Sequence, residues 1–172
     1  WVQNGAPRFE HNRIENNTSD GQGQFALGGG IQLEGTQATL IGNVITGNRV
    51  ISTGTPGSGG GIDIGGGPVV LIDNIIRDNT ASATGSGLGG GIAVRNATLT
   101  VRGGQMSYNS TSSAPCAGMG GGLYAENSQV TIDSVRVEKN CASSTEGGGG
   151  GLAFITSPFT LTFLPMDERV QV

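Results

Sequence analysis

The chain has 172 residues with 33 Gly, 13% charged and 35% hydrophobic residues, a formal net charge of -4 and a pI near 4.8. This length suits one domain, the apolar fraction exceeds that of a charge-rich disordered tail, and the clustered glycines lack the every-third-residue period of collagen. No basic patch invites nucleic acid, and no apolar run approaches the length of a membrane span.

From Trp1 onward the chain is organised by a repeat. Gly-Gly-Gly followed by Ile or Leu occurs at 28–31, 59–62, 89–92, 120–123 and 149–152, at spacings of 31, 30, 31 and 29. An Asn recurs at Asn17, Asn48, Asn79, Asn109 and Asn140, at spacings of 31, 31, 30 and 31. Two independent markers in one register identify a repeat architecture.

Take the aliphatic residue after the glycines as position zero. Positions zero and two then read Ile31/Leu33, Ile62/Ile64, Ile92/Val94, Leu123/Ala125 and Leu152/Phe154. Positions seven and nine read Ala38/Leu40, Val69/Leu71, Leu99/Val101, Val130/Ile132 and Phe159/Leu161. Position fourteen reads Ile14, Ile45, Ile76, Met106, Val137 and Met166. The two-residue spacing is that of strands burying one face. The pattern predicts an all-β, right-handed parallel β-helix. It has about six full or partial coils of 29–31 residues, with three short strands per coil. The hand follows from the strong preference of parallel crossovers. Stacking at about 4.8 Å gives a rod of roughly 30 Å.

The opening residues fit the register in mid-coil, with Val2, Phe9 and Ile14 at positions two, nine and fourteen. Leu164 and Met166 hold positions twelve and fourteen at the other end, and Arg169 replaces the Asn. The expectation is one domain over 1–172, either part of a longer rod or a subunit that stacks by its ends. An uncapped solenoid presents strand edges that template another chain.

The glycine corners are Gly28, Gly29, Gly30, Gly59, Gly60, Gly61, Gly89, Gly90, Gly91, Gly120, Gly121, Gly122, Gly149, Gly150 and Gly151. Glycine there implies a positive φ or a backbone approach that excludes a Cβ. A phosphate loop would need a following Gly-Lys-Ser/Thr or a helix, and the sequence has neither. The Asn column reads as a structural turn ladder, because Asn tolerates left-handed backbone and stacked amides bond to one another. Asn12, Asn43 and Asn74 form a second, partial column, lost at Gly104 and Val135. Between each Asn and the next glycines, residues 18–27, 49–58, 80–88, 110–119 and 141–148 read as polar loops on one side of the rod.

Cys116 and Cys141 fall in adjacent loops and form a candidate disulfide, which places the chain outside the cytoplasm. The lone His11 has no metal-ligand partners in sequence, and no cofactor is expected.

The pairing of Gly-Gly-Gly-Ile with Ile-x-x-Asn resembles the polymorphic outer-membrane-protein repeats of bacterial surface adhesins and autotransporter passengers. The carrying residues are Ile14-Asn17, Ile45-Asn48, Ile76-Asn79, Met106-Asn109, Val137-Asn140 and the five glycine runs. The Phe of that family's second motif is aliphatic or Met here. The resemblance implies a β-helix at a bacterial cell surface or secreted, with a glycan or host-surface ligand.

Three functions follow as expectations. The first is a non-catalytic structural or adhesive module that self-associates through its coil ends or docks on a larger surface assembly. The second is a polysaccharide lyase or hydrolase, which needs clustered carboxylates or a basic residue on one face. Its candidates are Asp63, Asp73, Asp78, Asp133, Arg77 and Arg102, with Asp73, Arg77 and Asp78 as the best cluster. Asp63 stands alone in its column, among Gln32, Ala93, Tyr124 and Ala153. The third is an ice- or surface-binding face built on the outward column Thr39, Val70, Thr100, Thr131 and Thr160, although outward Thr is also ordinary strand composition.

Overall fold

The computed structural model describes residues 1–22, 24–53, 55–83, 87–113, 118–142 and 148–162. Among them every regular element is a strand, and every strand pairs in parallel with its counterpart one repeat away, which makes a parallel β-solenoid.

The register follows the sequence columns. Ile62 pairs with Ile31 and Ile92, and Leu123 with Ile92 and Leu152. The opening coil conforms too: Val2 aligns with Leu33, Phe9 with Leu40 and Ile14 with Ile45. Residues of like shape thus stack into continuous interior rows. Leu33, Leu40, Ile45, Ile62, Ile64, Leu71, Ile92, Leu99 and Leu123 are fully buried. Each such side chain contributes roughly 1.5–3 kcal/mol by leaving water.

The number of strands per coil differs from the expected three. The coil that begins at Ile31 contains Ile31–Glu34, Thr39–Ile41, Val44–Thr46, Arg49–Ser52 and Gly57–Ser58. Their counterparts build sheets A to E in that order, of six, six, five, five and three strands. Sheets D and E lie in the segments read as polar loops. Their inward residues are small or polar: Ala26, Ser52, Ser58, Ala81 and Thr111 are buried along with Val50 and Leu88. Short side chains let the described strands of D and E contact one another at close range, as a second layer beside the main coil.

Four columns of each coil turn through left-handed backbone. The first glycine of the run supplies one, with φ between +55° and +65° at Gly28, Gly59, Gly89 and Gly120. The others lie at positions four, eleven and sixteen. Position sixteen, for example, is Asn16, Gly47, Asp78, Tyr108 and Lys139. The residue after each of these three corners points inward and is typically short and polar. Asn follows position eleven in the first three coils and position sixteen from Asn17 through Asn140. Thr36, Ser128 and Ser157 follow position four. At that corner Ser128 Oγ accepts from Ala97 N–H, and Ser157 Oγ accepts from Ser128 N–H.

The remaining two glycines of the first four runs serve close approach. Gly60 abuts the backbone of Thr80 and the carbonyl of Gly90, leaving no room for a Cβ. Gly61 rests on the Asn79 amide. The neck of the D–E excursion is therefore pinched between the glycines entering a coil and the Asn leaving it.

Candidate functional site

The Asn columns are buried axial ladders. Asn48 donates from its backbone N–H and its Nδ2 to Asn79 Oδ1, at 3.0 and 3.1 Å. Asn79 makes the same pair of bonds to Asn109 Oδ1, and Asn109 to Asn140 Oδ1. The second Nδ2 hydrogen goes back to a strand carbonyl, as from Asn79 to Ile45. Asn17 joins through Asn48, and the second column runs Asn12, Asn43, Asn74 in the same way. Every polar atom of an inner Asn amide is thereby used inside the rod.

The best sequence-predicted acidic cluster is divided between two corners. Arg77 pairs with Asp78 at 2.7 Å in solvent at one corner. Asp73 occupies the previous corner, where its carboxylate folds over Gly103. Arg102 and Asp133 are register neighbours in sheet B. His11 lays its ring over Gly42. Among the described residues, no group of three or more His, Cys, Asp or Glu side chains could hold a metal ion. Cys141 is exposed; Cys116 and its pairing with Cys141 lie outside the described residues, as do Leu164, Met166 and Arg169.

The Thr column is continuous through sheet B, where Thr39, Val70, Thr100, Thr131 and Thr160 align strand by strand. The adjoining outward column reads Ile41, Ile72, Arg102, Asp133 and Thr162, so regularity is confined to one row.

One charged site was not legible as such. Asp63, a candidate carboxylate of the polysaccharide-enzyme reading, is fully buried. Position one of sheet A faces sheet E, which covers it: Ser58 is the neighbour of Asp63 there, and it too is fully buried. Arg95, at position three of the next coil, donates from its guanidinium to Asp63 Oδ1 at 2.9 Å. Asp63 Oδ2 and Ser58 Oγ have no well-formed hydrogen bond among the described residues.

Gly65 makes this arrangement possible. In the position-three column it lies between Glu34 and Arg95. Its missing side chain leaves a gap into which Glu34 folds, so that a Cβ at Gly65 would stand 3.0 Å from Glu34 Cδ. Burial pushes the Asp63 carboxyl up to about 6; Arg95 and the Ser58 hydroxyl pull it back, and Glu34 adds to the rise. Two strands on in the same column, burial and the Glu126 carboxylate push the Tyr124 phenol up to about 12. The sequence signal was the small column-mates Ala93 and Ala153, which suit a covered position better than an exposed one.

Around the corner from this pair, an open groove of about 630 Å³ is lined by Gly67, Pro68, Asn96, Ala97, Thr98, Asn127 and Gln129. It offers amides and a hydroxyl without a charged side chain.

The chain has no significant match to any protein-family model, curated protein or solved structure.

Proposed function

We propose that the chain is a non-catalytic structural and adhesive solenoid module of the cell surface or extracellular space, which associates by adding coil upon coil. The observation that supports this most is the coil face at the Trp1 end. There the inward residues Val2, Phe9 and Ile14 pack on the core but stay only partly buried. They line a hollow of about 430 Å³ together with Trp1, Asn17 and Ile31. The side-chain oxygens of Asn12 and Asn17 receive no donor among the described residues, whereas the oxygens of their inner counterparts accept two hydrogen bonds each.

The chemistry of that face suits a further coil of this repeat as its occupant. It offers acceptors and an apolar floor, and at every inner boundary these are met by a coil presenting Asn N–H and Nδ2 donors. A coil preceding Trp1 in a longer chain would supply such donors; a second copy would offer the apolar residues Leu152, Phe154 and Leu161 of its last described coil, with Asn140 as the last described Asn of the ladder. The contact is heterologous, so it propagates as a filament instead of closing as a dimer. The surface location rests on the repeat resemblance, and a glycan or host-surface ligand would meet the outer faces.

Sedimentation and negative-stain microscopy of the 172-residue chain over a range of concentrations test the proposal. The expected result is rods that lengthen with concentration and shorten in Phe9→Lys and Val2→Lys, which put a charge on the face. A single monomeric species at every concentration, or assemblies indifferent to both substitutions, overturns it.

A further inference from the structure

The Asp63 site joins two coils by something other than the repeated ladders. The carboxylate belongs to the strand Ile62–Gly65 and its cation to Ile92–Arg95, one coil on. The side chain of Asp63 is 1% exposed and that of Arg95 24%, so the pair is shielded on the acid's side and reachable by solvent from the guanidinium's side. Arg95 also has an acidic neighbour on its other flank: Glu126 aligns with it directly in the next strand of sheet A. The guanidinium is thus aligned between carboxylates on opposite coils, and Glu126 also accepts from the Tyr124 phenol.

We propose that Asp63 and Arg95 form a proton-operated latch between coils. The ionised carboxylate holds Arg95 from the next coil, and protonation of Asp63 releases the guanidinium to Glu126. The step takes one proton from solvent onto Asp63 and breaks one charge-assisted hydrogen bond; the new ion pair forms at the more exposed edge of the sheet. The neutral acid then lies in the buried pocket beside Ser58 Oγ, whose hydroxyl has no other partner among the described residues. Burial of the carboxylate favours this exchange at mildly acidic pH, in line with the elevated proton affinity of Asp63. The titratable and charged groups facing Asp63 are Glu34, Arg95 and, through Arg95, Glu126 and Tyr124. Glu34, folded over Gly65, opposes a second negative charge nearby and so reinforces release. The consequence is a solenoid whose outer face at this corner changes its charge arrangement on acidification while the Asn ladders stay intact. The inference is independent of end-to-end assembly.

The test is NMR of the 172-residue chain from pH 4.5 to 8, following the Asp63 carboxyl carbon and the Arg95 Nε–Hε signal. Both are expected to move with one common midpoint well above that of a free aspartate. In Asp63→Asn the Arg95 signal is expected at its acidic position throughout, and in Glu126→Gln its acidic position is expected to shift while the Asp63 titration persists. An Arg95 signal that stays put while Asp63 titrates overturns the latch, as does an Asp63 midpoint in the ordinary carboxylate range. These two readouts come from the unsubstituted chain, so the result stands even if a variant fails to fold.

Discussion

Gly61 lies against the side chain of Asn79. A methyl group added at Gly61 would stand 3.0 Å from Asn79 Nδ2 and 2.7 Å from the Gly91 carbonyl oxygen. The two sequence markers of the repeat therefore keep one register because they touch within each coil. Gly61→Ala should cost about 3 kcal/mol, since the obstructing Gly91 carbonyl is ladder backbone that cannot withdraw. Gly5→Ala, where nothing lies within 4 Å but φ is +75°, should cost only about 1 kcal/mol. Urea unfolding followed by circular dichroism compares them, and equal losses would refute the crowding argument.

The ladder makes its own prediction. Asn79→Ala removes the acceptor for two donors of Asn48 and the donor to Ile45 O and Asn109 Oδ1. Orphaned buried groups cost about 1–3 kcal/mol each, so the loss should reach at least about 3 kcal/mol. Asn17→Ala removes only one side-chain donor at an exposed position and should cost under about 1 kcal/mol. Denaturation midpoints of the two variants decide whether the ladder strengthens inward.

How far the architecture could be read from sequence follows from side-chain size. The rows through Ile62, Leu71 and Ile76 were legible because large aliphatics recur at one spacing and pair as that spacing demands. Sheets D and E were not, because residues such as Ala81, Ser58 and Thr111 carry no hydrophobic alternation, and their burial arises only when the neck closes. For the same reason nothing in the column pattern marked Asp63 as one half of a buried pair. Its cover comes from Ser58, five positions earlier, and its partner from 32 positions later, a relation that no single coil displays.

Corner residues with side chains carry strain that glycine would relieve. Thr156 holds φ at +48° and is β-branched, which makes left-handed backbone especially unfavourable. Thr156→Gly should stabilise the last described coil by about 1 kcal/mol, with the unfolded chain's added freedom offsetting part of the relief. Native-state hydrogen exchange at Asn127, whose N–H donates to the Ile155 carbonyl, reads this locally. Faster exchange in the variant would contradict it.

The buried acid sets a pH dependence whose sign is fixed by the direction of its shift. In the folded chain Asp63 titrates near 6, against 3.8 for the unperturbed group, so the fold binds the proton more tightly than the unfolded chain does. Its contribution to stability is therefore fully present below about pH 4 and is lost as pH rises through 6. Two pKa units correspond to roughly 3 kcal/mol for so buried a group. Asp63→Asn should flatten that fall, and the variant should be more stable than the parent at pH 8 and near it at pH 4. Arg95→Met should do the reverse at high pH. It leaves the carboxylate buried without its cation and should cost about 3 kcal/mol at pH 8, shrinking below about 1 kcal/mol at pH 4.5 once Asp63 is neutral. Unfolding free energies across this range test both arms, and an Arg95→Met penalty independent of pH would show that Arg95 stabilises the corner by packing instead of charge.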